Sequence, residues 1–537
     1  MKGKITPLWV PDEGKQTQMD AFRRHINKKY QLSLPDYEAL YRWSTDEIAL
    51  FWKEIWGYFS VIHSEGPCEI VDDVSKMPGA TWFRDARLNF AENLLRCRED
   101  RPAIISVSER TSPCYISFKS LYDDVSRVEA GLSQLGVNTH DVVAGIVLNT
   151  TQTTLAMLAS ASLGAIWTAC SPEFGLTSIV DRLSQTQPKV LFAHQGSTYA
   201  GKRSDNREKI DKILEHVPSI QTVIWIPEPN SKAIDTHALD KHEIPFSKLM
   251  AYPAGALTAV QLPFDHPLYI LYSSGTTGKP KCIVHSVGGT LLQHIKEHRL
   301  HCDLGPQDRL FYFTTCAWMM WNWLVSALAG GTTIVLYDGA PQYPSPDQLW
   351  RLSEDLEVTV FGTSASYISM CQKKSLALKN KFAFKKLKMI LSTGSPLTEE
   401  LFEYVYNEVS SSSLLGSMSG GTDIVSCFAL SNPTLPVYSG EIQCRGLGMA
   451  VDTVNEKGES LVNRKGELVC RKPFPSMPIG FWGEDGQKRY HDAYFETMKG
   501  VWFHGDYSLL TERGGVIIFG RSDTTLNPGG EIGRAHV

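Results

Sequence analysis

The sequence has no Cys-x-x-Cys pair, no marked excess of one charge, no apolar run long enough for a bilayer and no Walker A loop. Its 11 cysteines, an odd number, are scattered from Cys68 to Cys470. A zinc ribbon or disulfide framework needs partner spacing, so these thiols read as small buried hydrophobes in a reducing compartment. The 53 Lys and Arg against 58 Asp and Glu give a net charge of −5, which leaves no basic field for a nucleic acid or an anionic membrane. No apolar segment follows the first lysines, so neither a secretory signal nor an Arg-rich transit peptide is expected, and cytosol is the default location. Two uncharged stretches, 142–172 and 310–337, are broken by Asn149-Thr-Thr-Gln-Thr-Thr and by Gly330-Gly331. Both fall short of the ~20 apolar residues that a membrane helix needs.

What is present is ordinary globular composition, 42% hydrophobic and 21% charged over 537 residues, too long for one core. Residues 1–100 form one expected unit, a helical cap: Tyr37, Leu40, Tyr41, Trp43, Ile48, Phe51, Trp52, Ile55 and Trp56 recur at steps of three and four. From 101 to 430, β-branched runs such as 103–107, 142–147, 190–193, 222–226, 332–336, 358–361 and 389–391 alternate with helix-length segments. That rhythm predicts an α/β core with a mostly parallel sheet wound through crossovers. After about 430 the helices are expected to stop, and short strands with tight turns over 431–520 suggest a small barrel-like β subdomain.

The densest chemical signal is 271–281, Leu-Tyr-Ser-Ser-Gly-Thr-Thr-Gly-Lys-Pro-Lys. Its last nine residues hold four hydroxyls, two glycines and two lysines, which suit a polyphosphate: donors without bulk, a backbone free to turn and mobile positive charge. A Walker loop would need Gly where Ser273 stands and Ser or Thr where Pro280 stands. Apolar runs on both sides predict a held turn instead of a flexible linker.

This loop resembles the signature of the adenylate-forming superfamily, which makes acyl-AMP from a carboxylate and ATP. Further segments resemble that family in order: Thr393-Gly-Ser-Pro396, Ser419-Gly-Gly-Thr-Asp423, His504-Gly-Asp-Tyr507 and Gly520-Arg-Ser-Asp523. The resemblance implies an α/β fold with a large N-terminal domain of stacked, mostly parallel sheets, a β-barrel subdomain and a small α+β C-terminal domain. It implies ATP binding by Ser273, Ser274, Gly275, Thr276, Thr277, Gly278 and Lys279, an adenine turn at Gly394, Ser395 and Pro396, and ribose contacts from Asp506 with Arg521. Thr422 would meet the α-phosphate, Asp423 would hold Mg²⁺, and Lys279 with these two would carry catalysis. A carboxylate attacking a phosphate must be screened by cations, and these residue types provide that without a nucleophilic side chain.

Trp43-Ser-Thr-Asp46, Phe51-Trp52, 80–83 and 88–95 resemble the leading domain of acetyl-CoA synthetases. Within that branch, residues 20–530 are most similar to the acetoacetyl-CoA synthetases, whose substrates are acetoacetate, ATP and coenzyme A. In acetyl-CoA synthetases the place matching Gly420 carries a Trp that closes the acyl pocket, so its absence implies room for a longer acid. Trp318, Met319 and Met320 are the other candidate pocket walls, or alternatively a core helix, and Asn322 offers an amide to a β-keto oxygen. Pocket size alone does not separate acetoacetate from other short acids. Ser171 and Gly175 match the coenzyme A groove, with Arg182, Lys202 and Arg203 as partners for its phosphate or as plain surface charges.

Members of the family continue past a hinge, here Asp523 within 521–530, into a domain that supplies an adenylating lysine. No lysine follows Lys499. The small domain is therefore expected to be missing, and the last seven residues, 531–537, to be a non-native tail encoded by a sequencing adapter. On that expectation the chain binds ATP but turns over poorly. A ligase for another short acid and a catalytically silent nucleotide-binding form both remain open, as does the oligomeric state.

Overall fold

In a computed structural model, the described residues are 6–229, 242–273 and 279–522. Two large sheets make the scaffold. The first has eight strands in the order Glu243–Pro245, Thr222–Ile226, Val190–His194, Val142–Ile146, Ile166–Cys170, Pro267–Ser273, Lys281–Ser286 and Gly480–Phe481. The second has seven: Leu414–Ser417, Met389–Thr393, Val360–Ser364, Arg309–Tyr312, Thr333–Asp338, Pro102–Ser108 and Thr111–Ser117. Most neighbours run parallel, with the hairpin of Pro267–Ser273 and Lys281–Ser286, the pairing of Lys281–Ser286 with Gly480–Phe481 and the edge pair ending the second sheet as antiparallel exceptions. Central strands such as Val142–Ile146 and Val190–His194 are buried along their whole length, because helices cover both faces of a parallel sheet.

One apolar core joins the sheets. It contains Ile104, Ile334 and Leu336 of the second sheet and Val143, Trp167 and Tyr269 of the first, with Leu121, Val125 and Leu155 from the helices Phe118–Gln134 and Thr151–Ser162. The outer face of the first sheet packs its own helices through Ile179, Leu183, Ile210 and Ile213. The N-terminal helices Gln18–Tyr30, Tyr37–Asp46 and Ile48–Tyr58 bury the aromatic stripe at 37–56. Tyr41 Oη donates to the Met449 carbonyl at 2.9 Å, so these helices brace the segment after 440.

That later segment departs from expectation in two ways. It forms an open four-stranded antiparallel sheet, Val451–Val454, Lys465–Cys470, Trp502–Leu510 and Val516–Arg521, where a barrel-like closure was expected. It also contains a helix, Gly486–Tyr494, directly after the strand Gly480–Phe481 has joined the first large sheet. Ile283, Phe428, Leu468, Tyr494 and Trp502 share a third core at this junction, which is where the candidate site lies.

Candidate active site

The phosphate-loop residues are carried by a hairpin whose feet are fixed. Ser273 pairs across the ladder with Lys281, so the two ends of the motif are held side by side by paired strands. Ser274, Gly275, Thr276, Thr277 and Gly278 lie outside the described residues. Lys279 is exposed, while Ser273 is buried. The Lys281 ammonium lies 5.0 Å from the centre of the Tyr494 ring and 5.7 Å from that of Phe481.

Thr422 and Asp423 occupy the turn between the short strands Ser419–Gly421 and Ser426–Leu430. The turn is anchored from below: a ring nitrogen of His294 meets the Val425 carbonyl at 2.8 Å, and the Glu297 carboxylate accepts from Ser426 Oγ at 2.6 Å and from the Cys427 amide at 3.1 Å. Asp423 therefore projects from a rigid support. Burial pushes its carboxyl upward, but the nearby charges of Lys281, His504 and Arg521 and a hydrogen bond donated by Tyr494 Oη outweigh it. The group is held below the usual aspartate range and stays ionised at neutral pH. A Cβ at Gly421 would stand 3.1 Å from Asp423 Oδ2 and 3.5 Å from His504 Cε1, so glycine leaves open the space where these side chains converge.

The strands Trp502–Leu510 and Val516–Arg521 set Asp506 directly opposite Arg521. Arg521 Nη1 lies 3.4 Å from Asp506 Oδ1 and donates to the His504 carbonyl at 3.2 Å. His504 Nε2 is 3.6 Å from Asp506 Oδ2, and Trp502 Nε1 donates to His504 Nδ1 at 3.3 Å. The result is a carboxylate, an imidazole and a guanidinium fixed along one edge.

Gly394, Ser395 and Pro396 leave the C-terminal end of Met389–Thr393, beside the end of Leu414–Ser417. Thr393 Oγ1 donates to the Met418 carbonyl at 2.9 Å, which joins this turn to the Ser419–Gly421 strand. Gly394 has φ of +89°, a conformation that glycine adopts without strain. A methyl there would rest 3.7 Å from Trp318, so the turn and the helix Met319–Ser326 adjoin. Trp318, Met319, Met320 and Asn322 are all buried. Asn322 is 1% exposed and, among the described residues, neither its amide oxygen nor its nitrogen has a hydrogen-bond partner.

Gly420 corrects the simplest view of the pocket. A Cβ on it would fall 2.0 Å from the Ser426 carbonyl oxygen and 2.6 Å from Cys427 Cα, against backbone and not toward open space. A β-bulge between Ser419 and Gly420 turns the position into the neighbouring strand. The missing indole therefore leaves no simple vacancy, because this backbone has no room for any side chain at 420.

The coenzyme A candidates do not form one cluster. Ser171 is buried and caps the turn to Glu173, and Gly175 precedes the helix Leu176–Thr186. Arg182, on that helix, lies against the rings of Phe174 and Tyr272 at 5.1 and 5.5 Å and donates to the Ser178 carbonyl, so it is a packed residue at the foot of the phosphate hairpin. Lys202 and Arg203 sit on a separate strand, Lys202–Asp205. Lys202 is exposed, and Arg203 is paired with the buried Glu228 at 2.7 Å. Asp523 lies outside the described residues.

The structure adds Lys281, Tyr494 and His504 to the residues named from sequence. Lys281 and His504 were inside recognised motifs and needed only their neighbours to be seen. Tyr494 stands on the unexpected helix, and its sole sequence signal is the four-residue step from Tyr490.

Comparison with known proteins agrees with this fold. A family model described as AMP-binding enzyme matches residues 90–481, and one described as acetyl-coenzyme A synthetase N-terminus matches 37–94. An acetoacetyl-CoA synthetase of Xenopus tropicalis is 43% identical over 99% of the chain and 80% of its own length. A malonamoyl-CoA synthetase of Penicillium aethiopicum is 41% identical over 97% of the chain and 75% of its own. The solved structure of acetoacetyl-CoA synthetase from Streptomyces lividans superposes with a TM-score of 0.92 at 42% identity, covering 97% of this chain and 81% of that one. The chain belongs to the AMP-binding enzyme family and, within it, to the acetoacetyl-CoA synthetases.

Proposed function

We propose that the protein joins acetoacetate to coenzyme A at the expense of ATP, through an acetoacetyl-AMP intermediate. In the first half-reaction a carboxylate oxygen of the acid bonds to the α-phosphorus, and pyrophosphate leaves with the electrons of the broken bond. In the second, the coenzyme A sulfur bonds to the acyl carbon, AMP departs and the thiol proton passes to solvent. The single observation that carries this reading is the convergence of Asp423, His504, Asp506 and Arg521, with Lys281 at the paired foot of the 273–281 loop beside them. Asp506 accepts from the ribose hydroxyls, Arg521 fixes its carboxylate, and Gly394, Ser395 and Pro396 flank the base. Ser274, Gly275, Thr276, Thr277, Gly278, Lys279 and the Thr422 hydroxyl hold the phosphates.

Magnesium is held by one or two carboxylates and by substrate phosphates, and the ionised Asp423 has that chemistry. When bound, the ion supplies positive charge that screens the phosphates from the incoming carboxylate. Support for acetoacetate comes from the relatives and from Asn322, whose unpartnered buried amide, on the helix that Trp318 precedes, can donate to a β-keto oxygen. The malonamoyl-CoA synthetase relative favours a second reading, an acid with a β-amide in place of the ketone. Ser171 and Gly175 border the proposed coenzyme A path. The domain limits near 100, 430 and 520 and a hinge at Asp523 are part of the same reading. The eleven free thiols support a cytosolic setting.

The test is pyrophosphate release and AMP formation with acetate, butyrate, acetoacetate and malonamate. Acetoacetate should give the highest kcat/KM. ATP binding with no AMP from any acid would instead identify a silent nucleotide-binding protein.

A further inference from the structure

We infer that Tyr494 is a positioning residue that fixes the Asp423 carboxylate for the metal–nucleotide complex, an inference that rests on the ATP reading above. The phenol donates to Asp423 Oδ1, which leaves Oδ2 on the side that Gly421 keeps open toward His504. Tyr494 is itself immobilised. Its ring stacks on Trp502 with centroids 4.0 Å apart and planes at 13°, packs edge-on against Phe481 at 6.0 Å, and is buried. Lys281 lies over the same ring, 5.0 Å from its centre. A cation over a phenol draws electron density from the ring and strengthens its O–H as a donor. Trp502 passes the restraint on, since its indole N–H donates to His504. One aromatic ring thus ties the second lysine of the loop motif, the acid of the Thr422–Asp423 turn and the His504 strand into a single unit. A carboxylate held through one oxygen keeps the other aimed, and the freedom that a metal ion would otherwise have to remove is already lost.

The test is Tyr494→Phe in the full 537-residue chain, which keeps the ring and its stacking and removes only the hydroxyl. Mn²⁺ binding in the presence of ATP is read by electron paramagnetic resonance, and ATP binding without metal by calorimetry. The variant should bind Mn²⁺ about tenfold more weakly, the loss expected for one hydrogen bond to a charged group. Its metal-free ATP affinity should change less than about threefold. In an Asp423→Asn background the same substitution should produce no further loss. Wild-type Mn²⁺ affinity in the Tyr494→Phe chain, or an equal further loss in the Asp423→Asn background, would overturn the assignment. Should the phenylalanine chain unfold, Tyr494→His offers a ring donor at the same place. Recovery to within about threefold of wild type then supports the inference, and no recovery overturns it. A wild-type chain that binds no Mn²⁺ with ATP would refute the underlying nucleotide reading instead.

Discussion

Asn322 is the residue whose two possible roles predict opposite things. If its amide serves the substrate, its lack of a protein partner costs folding stability in the empty site. Asn322→Leu, close in volume, should then stabilise the chain by about 1 kcal/mol in urea denaturation. It should also shift the kcat/KM ratio of acetoacetate to butyrate at least tenfold toward butyrate. An unchanged ratio would remove Asn322 from the pocket. At Gly420 the expected penalty is steric: Gly420→Ala places a methyl on the Ser426 carbonyl and should cost about 1–3 kcal/mol, the usual range for overpacking. Activity that fell without any loss of stability would contradict this. Sequence exposed Asp423, Asp506 and Arg521 because each sits in a dense motif of polar and small residues. It could not expose the direction of the Gly420 Cα–Cβ bond, which is set by a bulge and by the backbone of another strand.

Among elements, the most consequential is the π-helical turn Glu297–His301 that extends the helix Val287–Lys296. Glu297 is fully buried. It accepts from Ser426, Cys427, Gln293 and Trp323, and its carboxylate lies 3.9 Å from the equally buried Lys296 ammonium. Glu297→Ala would remove the counter-charge of that ammonium, leaving it the Leu447 carbonyl at 3.2 Å, and would take the acceptor from the Cys427 amide and the Trp323 indole, at a cost of about 3–5 kcal/mol. It would also loosen the support of the Thr422–Asp423 turn. Both a lower denaturation midpoint and weaker ATP binding are expected, and retention of both would show the anchor to be dispensable. The long buried strands were legible because runs such as 142–147 and 190–193 contain no polar interruption. The helix Gly486–Tyr494 was not, because Gln487, Lys488 and Arg489 carry no apolar stripe, and it forms by docking Tyr490 and Tyr494 on Trp502 and Phe481.

For the whole molecule, pH stability follows from imidazoles locked away from solvent. Burial lowers His194, His285 and His301 to about 3 and His294 to about 4. The unfolded chain takes up these protons near pH 6.5 while the folded chain refuses them, so the unfolded state binds more protons throughout the interval. Stability should be full above about 6.5 and fall at up to about 1.4 kcal/mol per pH unit for each histidine on acidification. A thermal midpoint unchanged between pH 7.5 and 5 would show that these rings are not held neutral. The eight buried cysteines give an independent readout: Cys68 and Cys114 should react quickly with a maleimide, whereas Cys282 and Cys427 should react only on opening.

The placement of Gly480–Phe481 in the first large sheet sets a tolerance limit elsewhere. Surface connections usually absorb insertions at little expense. Residues 482–485 behave differently, because they measure out the reach from a strand hydrogen-bonded to the phosphate hairpin to the helix that delivers a phenol to Asp423. This connection is a ruler: one added residue would leave both ends folded and the phenol out of reach of the Asp423 carboxylate.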